Sequence, residues 1–164
     1  MFEESARKAA EICGAKVYAD SKELINAENV DAVFIVSPGF AHVDSLLQAI
    51  EAGKRIFCEK PLCTTAEDCL KVVKAEEAAG KHLIQLGFMR RYDKGYQQIK
   101  EALATGEYGE PLILHCTHRN PEVGTNYNTP MAVHDTAIHE IDVLHWLVDD
   151  EYESAQVVMP KVTK

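Results

Sequence analysis

No stretch of this 164-residue sequence approaches the ~18 consecutive apolar residues that a membrane-spanning helix needs. A secretory signal pattern is also missing, because the opening MFEESARKAAEIC mixes acids and bases and has no apolar core. Positive charge is in short supply, with 17 Lys+Arg against 26 Asp+Glu and a formal net charge of −9. Such a chain offers no basic face to nucleic acid, and attachment to a membrane surface is disfavoured for the same reason. The five cysteines (Cys13, Cys58, Cys63, Cys69 and Cys116) include no CxxC pair. That odd count argues against a disulfide framework and for reduced thiols in a cytoplasm. Cys58 and Cys63 do not have a standard zinc spacing, and no metal site is expected.

What is present is a 46% hydrophobic chain, an ordinary fraction for a globular protein and long enough for one domain or pieces of two. Residues 1–13 read as an amphipathic helix ended by Gly14. A short strand, Lys16 to Ala19, is expected next, then a short helix capped by Asp20 or Ser21. Asp31 to Ser37 is a β-favouring run of the kind covered on both faces in parallel sheets, and a helix from about Ala41 to Ala52 follows it. The pattern repeats with a strand Arg55–Lys60, a helix capped by Thr64 or Thr65 and reaching Ala79, and a strand His82–Phe88. Strands alternating with helices predict βαβ units and a parallel sheet. After Phe88 the texture changes. A helix from about Gly95 to Ala104, a strand Leu112–Thr117, a loop over 119–133, a helix Val133–Val148 and a strand Ser154–Met159 are expected, the two strands belonging to a new sheet.

Two constellations could carry chemistry. Lys60, in Glu59-Lys60-Pro61, lies at the carboxyl end of a parallel strand, where open α/β sheets bind ligands. Partial desolvation there would suit a lysine to proton transfer, although a solvated strand-end lysine is the bland alternative. In HDTAIHEIDVLHW, spacings of four and three put Asp135, His139 and Asp142 on one helix face, beside an apolar stripe of Ile138, Ile141, Leu144 and Leu147. An Asp four residues before a His can fix its tautomer for general-base work, or the two can be a plain intrahelical pair. His115 and His118 would fall on opposite faces of a strand, with no role assigned. Ser37-Pro38-Gly39-Phe40-Ala41-His42 links a strand to a helix N-terminus and is by itself a common turn.

Together, VDAVFIVSPGFAHVDSLLQAIEAGKRIFCEKPLCTT, GFMRRYDKGY and AVHDTAIHEIDVLHWL resemble the Gfo/Idh/MocA oxidoreductases, and within them the inositol 2-dehydrogenase subgroup. The resemblance covers essentially the whole chain. It implies an α/β fold in which residues 1–88 are the later part of a Rossmann NAD(P)-binding domain. Residues 89–164 would then begin an α/β substrate domain with an open sheet. It implies NAD-dependent oxidation of a cyclitol or sugar ring hydroxyl to a ketone, with NADP left open. Lys60 would be the catalytic lysine on the reacting hydroxyl, His139 the general base, and Asp135 the group that orients it. Met89, Arg90, Asn120 and Asp142 would line the polyol site, while Ser37, Pro38, His42, Glu59 and Lys60 would lie along the nicotinamide side. A cytoplasmic homo-oligomer is the matching expectation.

One family element is missing. No G-x-G-x-x-G turn occurs in the sequence, and Gly14 is its first glycine. The chain is therefore expected to be truncated at both ends, about half of a two-domain enzyme, with weak dinucleotide binding by itself. The alternative is a non-catalytic remnant or sugar-sensing module of the same family.

Overall fold

Before Gly87, short apolar runs alternate with capped helices and pair as a three-stranded parallel sheet. The computed structural model describes residues 3–158 and divides between Gly87 and Phe88 into two units. In the first unit, helices α1 (Glu3–Cys13) and α2 (Ser21–Asn26) precede strand β1 (Ala32–Ile35). Helix α3 (His42–Glu51), strand β2 (Arg55–Cys58), helix α4 (Ala66–Ala79) and strand β3 (Ile84–Leu86) then complete the sheet in the order β1-β2-β3. Val33 faces Ile56 in register, and Ile56 faces Ile84.

Local chemistry explains the helix ends. The Asp20 carboxylate accepts the Glu23 amide at 2.8 Å and starts α2. Thr65 Oγ1 accepts the Asp68 amide at 3.1 Å, which caps α4, and donates to Asp68 Oδ2 at 2.9 Å. Gly80, at φ 65°, closes α4 in a left-handed conformation that a side chain would strain.

The core lies on one side of this sheet. Val33, Ile35, Ile56 and Cys58 point inward against Leu46 of α3 and Val72 of α4. The other face is open: Phe34 is 71% exposed and stacks on Phe57 at 5.3 Å. β1 thus corrects the expectation of a strand covered on both faces, since its alternation buries every second residue only.

The second unit opens with a 3-10 turn, Met89–Tyr92, and helix α5 (Lys94–Ala104), whose cap is Asp93 accepting the amides of Gly95 and Tyr96. A one-turn helix α6 (Thr129–Met131) leads into a π-helical turn, Ala132–Ala137, continuous with helix α7 (Ile138–Val148). Three expected strands are absent. Lys16–Ala19 and Leu112–Thr117 run without a ladder, as does the described part of Ser154–Met159, whose Met159 lies outside the described residues. Strand character needs a neighbour to accept and donate along the backbone, and none lies beside these segments among the described residues. Leu112 and Ile113 are accordingly exposed.

Candidate active site

In the first unit, the predicted residues gather where β1 and β2 end. Ser37 and Pro38 are exposed just beyond β1, and Glu59 and Lys60 are half-buried just beyond β2. The ends are tied together by backbone, because the Glu59 amide donates to the Ile35 carbonyl at 2.9 Å and the Gly87 amide to Cys58 at 2.8 Å. The Lys60–Pro61 peptide is cis. His42 differs from its expected place. It is fully buried at the start of α3, so it has no surface to offer a cofactor.

In the second unit, α7 carries two polar residues, His139 and Asp142, on its buried face. His139, Asp142, Val143 and Leu147 are buried, while Ile141 is 45% exposed. The expected apolar stripe beside a polar face is therefore corrected: the imidazole and the carboxylate belong to the packed face itself. Asp135 also leaves the α-helical register, since it lies in the π-helical turn, which adds a residue per turn relative to α. The four-residue spacing to His139 does not have ordinary α-helix geometry.

Asp142 is engaged by Arg91. The guanidinium donates through Nε to Oδ2 at 2.9 Å and through Nη2 to Oδ1 at 2.5 Å, a bidentate pair that raises Arg91 further above its ordinary range. The carboxylate expected to hold a polyol is thus occupied by an arginine from the 3-10 turn. Two positions earlier, Glu140 meets Arg90 Nη1 at 2.5 Å and His118 Nδ1 at 3.1 Å. Burial pushes the Glu140 carboxyl up, and Arg90 and His118 more than reverse this, holding it below the usual carboxylate range. His118 Nε2 lies 3.1 Å from Asn120 Oδ1, and Arg90 also stands over the Tyr96 ring at 5.7 Å. A cavity of about 420 Å³ opens here, lined by His118, Asn120, Tyr127, Thr136 and Glu140. Met89 is exposed at the start of the same turn.

The structure therefore joins Arg90 to Asn120 through Glu140 and His118. It assigns Asp142 to Arg91.

Residues 2–88 match the family model described as "Oxidoreductase family, NAD-binding Rossmann fold", and residues 96–164 match the "GFO/IDH/MocA C-terminal domain". The chain belongs to the Gfo/Idh/MocA oxidoreductases. Among members of that family, it is 61% identical to the inositol 2-dehydrogenase/D-chiro-inositol 3-dehydrogenase of Halalkalibacterium halodurans, over 92% of this chain and 43% of that protein. It is 57% identical to the inositol 2-dehydrogenase of Pseudomonas syringae, over 92% of the chain and 45% of that protein. The chain spans less than half the length of these curated relatives. Among solved members, the myo-inositol dehydrogenase of Lactobacillus casei, in complex with NAD(H) and myo-inositol, superposes with a TM-score of 0.88 at 48% identity, over 92% of this chain and 45% of that one. The scyllo-inositol dehydrogenase of the same species gives 0.72 at 26% identity, over 87% and 45%.

Sequence reasoning missed Arg91, His118 and Glu140. Their signal was weak: Glu140 interrupts the Asp-His-Asp pattern, and His118 sits in a segment read as a strand. Two adjacent arginines before a helix carrying two carboxylates two residues apart was the available clue.

Proposed function

We propose that this chain is part of an NAD-dependent dehydrogenase that oxidises a ring hydroxyl of a cyclitol, with myo-inositol as the first substrate to test. The likeness to the Lactobacillus casei enzyme in complex with NAD(H) and myo-inositol, at 48% identity, carries this reading. Residues 1–88 are assigned to the cofactor domain and 89–164 to the start of the substrate domain. The free cysteines and lack of a CxxC pair favour a cytoplasm. A homo-oligomer remains the expectation that the family resemblance implies.

The residues present suit the nicotinamide side of the cofactor. Parallel strands β1 and β2 end side by side, with the Ser37 and Pro38 surface free and Lys60 half-buried next to it. NAD, when bound, supplies the hydride acceptor. In this reading, Lys60 donates a hydrogen bond to the reacting hydroxyl and favours its ionisation. His139 receives the hydroxyl proton, and its burial at 8% exposure shields that transfer from bulk water. Asp135 stabilises the resulting imidazolium. Arg90 and Asn120, held through Glu140 and His118, would hydrogen-bond the other hydroxyls, with Met89 against the ring. Fixed donors and acceptors around several hydroxyls discriminate among isomers. Ser37, Pro38 and Glu59 line the cofactor edge.

The test substitutes this chain for the matching stretch of the Halalkalibacterium halodurans dehydrogenase and follows reduced nicotinamide with myo-inositol, scyllo-inositol and glucose. Turnover fastest on myo-inositol is expected. Lys60→Ala and His139→Ala should each lower it by about 10²-fold or more, with circular dichroism unchanged. Cyclitol binding without turnover would establish the sensor instead, and near-normal turnover by His139→Ala would remove the general base from α7.

A further inference from the structure

His42 is the largest polar side chain sealed inside the first unit, with 0% exposure, and nothing in the proposed chemistry uses it. Its ring lies between the two loops that leave the sheet's carboxyl edge. Nε2 lies 2.6 Å from the Ser37 carbonyl and Nδ1 lies 2.9 Å from the Pro61 carbonyl. A carbonyl oxygen only accepts, so a neutral imidazole, with its single N–H, donates to one of the two carbonyls and only packs against the other. The third neighbour is Cys58 Sγ, 3.4 Å from Nδ1, whose single S–H donates to the Glu59 carbonyl at 3.2 Å. Burial first, then Cys63 and Glu59, pushes that thiol up to about 12, so it stays a neutral S–H beside the ring.

The same two loops touch a second time without polar chemistry. A Cβ built on Gly39 would stand 3.1 Å from Pro61 Cγ and 3.4 Å from Thr64 Cγ2, tighter than a side chain normally tolerates. The loop after β1 and the loop after β2 are thus in direct contact, with His42 behind them. Ser37 ends one loop's approach to the edge, and Lys60 immediately precedes the carbonyl that receives the ring on the other.

We propose that His42 is a positioning residue: its buried ring, wedged between the Ser37 and Pro61 carbonyls and donating to one of them, holds Lys60 in register with the Ser37-Pro38 shelf. The inference rests on the dehydrogenase reading for the purpose of the clasp, while the clasp itself rests on this unit alone. Misplacing a reacting group by about 1 Å can cost about 10²-fold in rate, which is the scale at which such a device matters.

The experiment has a spectroscopic arm and a kinetic arm. In the chain labelled with heavy nitrogen at histidine, a His42 ring N–H should exchange with water far more slowly than that of exposed His82 and couple across its hydrogen bond to the Ser37 or Pro61 carbonyl carbon. His42→Phe fills the space without a donor, and His42→Gln keeps one. The phenylalanine variant should move the amide resonances of Ser37, Gly39, Lys60 and Leu62, and the glutamine variant should restore part of the shift. Leu46→Val, which loosens the same buried face of α3, should leave those four resonances in place. In the substituted dehydrogenase, His42→Phe should lower kcat about tenfold to a hundredfold with little change in KM for NAD, and His42→Gln should recover part of it.

A His42 ring N–H exchanging as fast as His82, or equal shifts in Leu46→Val, overturns the clasp. Shifts without a change in kcat overturn its positioning role. If the unsubstituted dehydrogenase carrying this chain is silent, the dehydrogenase reading fails, and the clasp is decided by the resonances alone.

Discussion

Removing the Asp142 carboxylate separates two accounts of α7. If Asp142 held a polyol hydroxyl, Asp142→Ala would raise KM and leave stability alone. The structure instead gives it two guanidinium hydrogen bonds from Arg91, at 2.9 and 2.5 Å, with the Asp142 side chain 7% and the Arg91 side chain 38% exposed. A fully buried pair that loses one partner costs about 3–5 kcal/mol. Arg91 is more than a third exposed, so water replaces part of what it loses and the figure must be discounted. Asp142→Ala is therefore expected to destabilise the second unit by about 2 kcal/mol, and the pairwise coupling in a cycle with Arg91→Ala should be about 1–2 kcal/mol. The probe is built in, because Trp146 is the only tryptophan and lies on α7. Urea titrations of the chain, its two single variants and the double variant, followed by Trp146 fluorescence, give the coupling. A value within about 0.3 kcal/mol of zero would refute the pairing and return Asp142 to the polyol.

Three further expectations follow from the same geometry. Glu140, held below the usual carboxylate range in the folded state, contributes stability that is complete above its unfolded value. That stability is lost as pH falls through the lowered folded value, so Glu140→Gln should flatten the acid limb of a Trp146-monitored stability profile; an unchanged limb would contradict the network. Thr65→Ala removes the α4 cap and should cost about 1 kcal/mol by thermal denaturation, against almost nothing for Thr64→Ala. Cys58 and Cys63 are buried and pushed up to about 12, the first by burial, then Cys63 and Glu59, the second by burial, then Cys69 and Asp68. Alkylation at neutral pH should therefore label exposed Cys13 and Cys116 first, as read by peptide mass; early labelling of Cys58 would place it outside the core.

The parallel sheet was legible because its signals are local. Asp31 to Ser37 is a β-favouring run, Thr65 stands before an apolar-periodic run, and Gly80 closes it; each acts within a turn of itself. Leu112–Thr117 was misread because composition reports β-propensity and not the presence of a neighbouring strand. The π-helical turn was invisible because a one-residue widening leaves the Asp135–His139 spacing in sequence untouched. The burial of His42 and the engagement of Asp142 were not legible, because they depend on a carbonyl and a guanidinium brought from 19 and 51 residues away. No window of sequence contains such pairs.

Helix α7 is gripped by three cations from the preceding segment. Arg90 holds Glu140, Arg91 holds Asp142, and Lys100 Nζ donates to the Trp146 carbonyl at 2.6 Å and the Leu147 carbonyl at 3.3 Å. From Glu140 to Leu147 these anchors span roughly 10 Å of axis at about 1.5 Å per residue. A slide of α7 by one turn, about 5.4 Å, would have to release all three at once. The helix therefore behaves as a pinned ruler, and the imidazole of His139, one residue before the first pin, keeps a constant axial distance from the segment that carries Met89 and Arg90.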